Sequence, residues 1–480
     1  MGRLLLTLAL FGCVCGCSPS TAPEKKESSE QKTAMGTGSS NDQATSAGDG
    51  QLTKGSFDLA KTAANEDKIA LVERLMLQLT QLTEQANAAQ ATFDFANAAK
   101  LWRESEKILN TLQTPNSWQT TNARLSAENA ELQAKFSETQ LLGLKELFDW
   151  QRKIAELLTK SDFANALVQA ERSAQRTREL FGDDSYMVAK QWVQMARLKH
   201  LNGDLHGATE AYREAILGHH KFVNDMHPDI EALHGYIGEC FMNLGQMRPA
   251  MDNLKKAARL AEELWGDKSL NYAKRANDLG VVLQRSGEHE TALTVLRAAE
   301  SIRRQELGIE HPLVAHSLMN LGTVYLELNR SELAVQCFAQ AIPILQQKMG
   351  DTNRIVVEGQ LRYSAALVLS GRNDEAEKTL QSLIENLQLK QPTSPELSTA
   401  QYRLAVILCK QGRYEPAEQL LKAALDNQVK LFGVANASTS KTKSALAQLF
   451  ERTGRTKEAA ELQNEIKQVN YTESNEQFRR

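Results

Sequence analysis

Residues 269–308 read SLNYAKRANDLGVVLQRSGEHETALTVLRAAESIRRQELG, and two apolar stripes within them decide the fold. Ala276, Leu279, Gly280 and Leu283 make the first; Ala292, Leu293, Leu296, Ala299 and Ile302 make the second. Both follow the i, i+3, i+4, i+7 spacing of an amphipathic helix. Between them lies Gly287, a residue type that accepts the positive φ of a tight helix–helix turn. The stretch therefore predicts helix, turn, helix. Gly280 and Ala292 are small, so the two helices can approach closely. A larger side chain there would overpack the contact at a cost of about 1–3 kcal/mol.

Working outward, the same unit recurs. Turn residues stand at Gly203, Gly245, Gly287, Asn329, Gly371, Gly412 and Gly454, spaced by 42, 42, 42, 42, 41 and 42. Five residues after each comes an alanine, from Ala208 to Ala459, and seven before each a small residue, from Ala196 to Ala447. A fixed period of this size is the signature of a solenoid, in which each unit packs only on its neighbours. Pro249 and Pro416 fall just after turns, where a second helix begins and proline is accepted. Subtracting one period from Gly203 gives Ser161, with Ala166 five residues on. SDFANALVQAERSAQ at that place is echoed by FDFANAAKLWRESEKI around Phe93, but the gap of 68 breaks the register. Residues 57–140 are therefore expected to be divergent helical pairs that cap the array. NARLSAENAELQAKF has heptad character over too short a length to specify a coiled coil.

A small residue, the turn glycine and then alanine, in this order and spacing, resemble the tetratricopeptide repeat (TPR). The 42-residue period, connecting stretches such as LGIEHPLVAHSLMNLGTVY, and the His227-Pro228 and His311-Pro312 pairs two periods apart resemble its kinesin light chain subclass. The resemblance covers residues 144 to 470. It implies an all-α, right-handed superhelical solenoid of about eight units over residues 141–470, with a divergent helical cap at 56–140 and a polar tail at 471–480. It implies no single function, because one fold hosts many.

The chain opens with Met-Gly-Arg, the apolar run LLLTLALFG, then CVCGCSPS. A basic residue and a short apolar run predict a signal peptide over residues 1–17, too short to span a bilayer. Glycine before cysteine resembles the bacterial lipobox, which implies lipidation at Cys17, with Cys13 as the alternative. Residues 18–55 are rich in Ser, Thr, Gly, Ala and Gln and hold no aromatics, so they cannot bury enough surface to fold. They are expected to be a tether with a root-mean-square span of roughly 35 Å. Together these lead to the expectation of a membrane-anchored protein of a bacterial cell envelope; between inner and outer membrane, Ser18 rather than Asp after Cys17 favours the outer, facing the periplasm.

A net charge of −3 on 480 residues argues against a nucleic-acid surface. Cys240, Cys337 and Cys409 lie in different units without CxxC spacing, and are expected to be packed side chains rather than metal ligands or disulfides. No phosphate loop, HExxH, GxSxG or kinase-like set is present, so no enzyme and no cofactor is expected. Six of nine histidines fall between His200 and His234. His227 and His234, seven apart, could share a helix face, which leaves a ligand- or metal-sensing role as the alternative class; repeat-linked use of histidine before a helix-starting proline is the plainer reading. The TPR resemblance implies that the first helix of each pair lines a concave groove. Carried over by position, the groove residues are Lys190, Gln194, Arg197, Lys274, Asn277, Gln284, Asn320, Thr323, Arg362 and Arg403. Asn277 and Asn320 resemble the asparagines with which kinesin light chain repeats hold peptide backbones. The expected function is a lipid-anchored scaffold that binds other proteins or peptide segments, basic groups favouring acidic ones. Assembly of an outer-membrane or pilus complex is an alternative within that class.

Overall fold

The computed structural model describes residues 66–113 and 117–477. The leader with Cys13 and Cys17, the tether, and residues 56–65 lie outside them. Among the described residues there are nineteen helices and no strands. None of those helices is long and apolar enough to cross a membrane. The chain divides into two compact units, Met1–Arg275 and Ala276–Arg480. The first contains α1 (Glu66–Ala91), α2 (Phe95–Leu112) and α3 (Trp118–Gln133). Three pairs follow: α4 (Glu138–Thr159) with α5 (Phe163–Phe181), α6 (Tyr186–Leu201) with α7 (Leu205–His219), and α8 (Pro228–Asn243) with α9 (Met247–Trp265). The division falls within α10 (Leu270–Arg285), which is followed by α11 (His289–Leu307). The second unit continues with α12 (Pro312–Glu327) and α13 (Ser331–Met349), then α14 (Arg354–Leu369) and α15 (Asn373–Lys390). Its last pairs are α16 (Pro395–Lys410) with α17 (Tyr414–Phe432), and α18 (Ala437–Arg452) with α19 (Thr456–Gln477).

All seven predicted turn residues have positive φ, and so do Ser161 (56°), one period before Gly203, and Phe93 (63°), the position across the break in register. Each turn shares one closing bond, beside a shorter-range one from the turn residue's own amide: the amide after the turn residue donates to the carbonyl four residues before the turn residue. Glu288 N to Leu283 O is typical, and the nine bonds measure 2.8–3.0 Å. This is the six-to-one bond of the Schellman motif, which satisfies a carbonyl the helix end leaves open. The backbone bond makes the turn, so Asn, Ser and Phe are accepted there. The connections from one pair to the next behave differently. Gly182, Gly266, Gly308, Gly350 and Gly433 have φ of 77–87° with ψ near 160–176°, a region essentially closed to other residues.

The first helix of each pair starts from a side-chain cap. Ser185, Ser269 and Ser394 accept from the amide three residues on, Asn353 and Asn436 from the amide two residues on. His227 and His311 do as the asparagines do: each Nδ1 accepts the backbone N–H two residues later at 3.1 Å. The histidine of each His-Pro pair is thus a helix cap, with proline at the first helical position. Pro249 and Pro416 sit at the third residue of their helices rather than the first, still within the turn whose N–H groups lack helical partners.

Close approach within pairs rests on the small residues named from sequence. A Cβ on Gly280 would lie 2.5 Å from Leu296, on Gly238 2.5 Å from Leu254, and on Gly322 2.8 Å from Phe338. Ala250, Ala292 and Ala334 are fully buried. Cys240 and Cys337 are buried and Cys409 is partly so; all are free thiols, and burial pushes Cys240 and Cys337 up to about 11.

Residues 66–133 form three packed helices, with Leu79, Leu109 and Ala123 in one cluster and Ala89, Ala98, Ala99 and Ala130 in another. Their placement was not foreseen. Phe93 and Phe95 pack on Leu144, Leu147 and Phe148 of α4. α3 lies across the connections of the three following pairs. Trp118 meets the Trp265 ring edge-on at 5.2 Å, Leu125 joins Val223, Ile230, Leu260 and Leu264, and Phe136 just beyond the helix meets Phe181 at 5.5 Å.

Candidate peptide-binding face

The predicted groove residues all lie on first helices of pairs, and all are partly buried. Several are engaged with the next or preceding first helix, about one period away. In the first unit, Gln194 and Gln151 exchange two amide bonds of 3.0 and 2.5 Å. Gln151 also donates to Ser173, whose hydroxyl donates to Gln191. In the second unit, Asn320 Nδ2 donates to Asn277 Oδ1 at 3.0 Å, and Gln284 Nε2 to Glu327 Oε1 at 2.5 Å. The Arg403 guanidinium donates to the Leu361 carbonyl. Apart from the two Ser173 bonds, which join a first helix to a second, each of these partners is 42 or 43 residues away, so the period that sets the fold also sets the rungs of a polar ladder.

The cations hold other positions. Lys190 stands 4.8 Å from the Tyr186 ring, and Lys274 6.0 Å from that of Tyr236, which stacks on Tyr212. Arg362 pairs with Glu358 one turn back on its own helix and is near enough to Arg403 that, after burial, it is the second influence lowering the Arg403 pKa. Thr323 is turned onto its own helix, donating to Met319 O. Arg197 is half-buried beside Tyr212, whose phenol burial pushes up. Two arginines missed from sequence are buried. Arg275 pairs with Glu231 over Gly235, where any Cβ would strike the guanidinium. Arg303 donates to Ser317 Oγ and Leu313 O, and its burial lowers its pKa. Small residues facing an arginine are the signal that finds them.

His227 and His234 are not brought to one site, and of the histidines of residues 200–234 two, His219 and His227, meet at one carboxylate. His227 faces Asn122 of α3 across 3.1 Å, whereas His234 bonds Asn253 of α9. His219 and His227 flank Asp229, whose carboxylate also accepts from Tyr186 OH at 2.6 Å. Burial pulls the Asp229 pKa up, but the His219 bond and the neighbouring positive charges outweigh it and hold the group well below the usual range. Burial brings His227 down to about 4. Among the described residues no three His, Cys, Asp or Glu side chains converge in a way that could hold a metal ion.

Turn, cap, close contact and polar ladder, repeated at one period, define a protein built by stacking two-helix repeats. A profile of the tetratricopeptide repeat matches residues 229–305, 275–347, 356–428 and 396–468, and the chain carries tetratricopeptide repeats. Among solved structures, a putative kinesin light chain from Podosopora anserina with nearly identical TPR-like repeats is 19% identical, covering 43% of this chain and 98% of that one with a TM-score of 0.40. The apo form of the quorum sensor NprR from B. thuringiensis is 12% identical over 77% of this chain and 97% of that one, with a TM-score of 0.50. A secreted RxLR effector protein of Plasmopara halstedii is 24% identical over 114 residues, 24% of this chain. The chain spans about a third of the length of the curated relatives it matches.

Proposed function

We propose that this TPR protein is a non-catalytic scaffold, held at a bacterial envelope membrane by lipid on Cys17 or Cys13, that binds an extended partner segment along its first-helix face. The observation that carries the binding part is the ladder in the second unit. The Asn277–Asn320 rung and the neighbouring Arg362 and Arg403 place amides and guanidinium groups along one row of first helices. Amides of this kind bond peptide backbones, and guanidinium groups bond carboxylates. The polar tether and the Gly-Cys leader support the anchoring part.

The test is capture of a partner from native envelope extract on residues 56–480, beside Asn320→Ala/Arg362→Ala. A partner held by the wild type and lost by a variant of equal helicity is the expected result; equal retention would sink the first-helix face as the binding site. For the anchor, metabolic labelling with a fatty-acid analogue should mark the full chain and be lost in Cys17→Ser; persistent label would move it to Cys13.

A further inference from the structure

Nine large apolar side chains among the described residues of the second unit are exposed, and all but Leu333 and Leu369 lie in, or within two residues of, the connections between helix pairs. Scattered exposed apolar residues are ordinary, but these recur at the same place in successive repeats, and apolar exposure concentrated in one part of a fold marks an interaction site. Ile309 and Val434 are each more than half exposed, and Leu389 is 84% exposed.

The first unit shows what covers such an edge. Counting twenty residues from the turns at Ser161, Gly203 and Gly245 reaches Phe181, Val223 and Trp265. These are the side chains that α3 and the residues just beyond it cover, Phe136 from beyond the helix and Leu125 and Trp118 from the helix itself, respectively. At the same count in the second unit stand Leu307, Met349, Gln391 and Phe432, of which Met349 and Phe432 are 41% and 44% exposed. By repeat register these exposed positions are the equivalents of ones that the first unit covers, and covers with a helix. α3 is engaged where it is, in this chain and in any second copy, so the occupant comes from elsewhere.

We propose that the connecting edge of the second unit, from Ile309 to Val434, docks an amphipathic helix of a partner protein. Its chemistry follows α3: bulky apolar side chains seven residues apart, as Trp118 and Leu125 are, and a polar group that bonds a connection backbone, as Arg124 does to the Phe222 carbonyl. A helix of 16 residues, the length of α3, is about 24 Å long, enough to cross three pairs packed about 8–10 Å apart. This surface is separate from the first-helix face and does not depend on the function proposed for it.

The probe is a fluorescein-labelled synthetic peptide of residues 117–136, titrated with the full chain by fluorescence anisotropy. Saturable binding that weakens about tenfold in Met349→Ser/Phe432→Ser is expected, since a few central anchors carry most interface energy. Trp265→Ser should leave that binding unchanged. Absence of binding overturns the proposal, as does binding that survives the double variant or is lost in Trp265→Ser, which would mean exchange with α3. Sedimentation of the chain alone is the second measurement. A dimer abolished by the double variant would assign the edge to a second copy and overturn the partner helix; a monomer with the expected peptide binding supports it.

Discussion

At the scale of single residues, two kinds of glycine do different work. Turn glycines occupy a left-handed position that Asn329, Ser161 and Phe93 also fill, whereas Gly308, with φ 81° and ψ 160°, occupies one that other residues scarcely visit. Gly308→Asn should therefore cost about 1–3 kcal/mol, and Gly287→Asn much less, by urea unfolding. Gly280→Leu should lower stability by about 1–3 kcal/mol or more, because its Cβ alone would meet Leu296 at 2.5 Å; an unchanged melting temperature would contradict the packing role. His227 makes a cap that depends on pH, since a protonated Nδ1 can no longer accept the Asp229 N–H. Its pKa falls from 6.5 to about 4 on folding. Below pH 6.5 the unfolded chain takes the proton and the folded chain does not, so stability is lost as pH falls from 6.5 to about 4. The loss reaches about 2 kcal/mol at pH 5. Asp229 adds its own loss only below the ordinary carboxylate range. Replacing the ring with the cap used elsewhere, His227→Asn, should flatten the slope between pH 7 and pH 5. An equal slope in both proteins would remove His227 as its source.

At the scale of helices, the pairs were legible because a period is a long-range signal repeated in every copy. Even the out-of-register turn at Phe93 could be found, from the Phe-Ala-Asn-Ala wording that follows both it and Ser161. The position of α3 was not legible. Its partners are remote, Asn122 and His227 being 105 residues apart and Arg124 and Phe222 98, and it has no repeat equivalent to compare with. The candidate face was half legible. Repeat position gave the residues, but not that Gln194, Asn277, Gln284, Asn320 and Arg403 would bond across neighbouring helices, which depends on the offset between packed first helices. Trp118→Ala should loosen α3 by about 1–3 kcal/mol. Hydrogen exchange should then quicken over residues 118–133 and stay unchanged in α16 to α19; uniform quickening would show that α3 is not a separable layer.

At the scale of the molecule, each helix pair is a replaceable part. Excising residues 329–370 joins Leu328 to Gly371 and leaves every remaining turn in register. The shortened chain should keep its helicity per residue and lose stability by about one nearest-neighbour interface, as expected for a repeat array. Circular dichroism with urea unfolding checks this, and a collapse of helicity would contradict it. The way α3 lies over the first unit carries a consequence for descent. Unequal recombination that copies or drops 42 codons in the second unit yields a chain that still folds, so array length there is free to drift between lineages. The same event among the pairs beneath α3 would move Trp265 out of reach of Trp118, and the copy number of that part of the gene is held fixed.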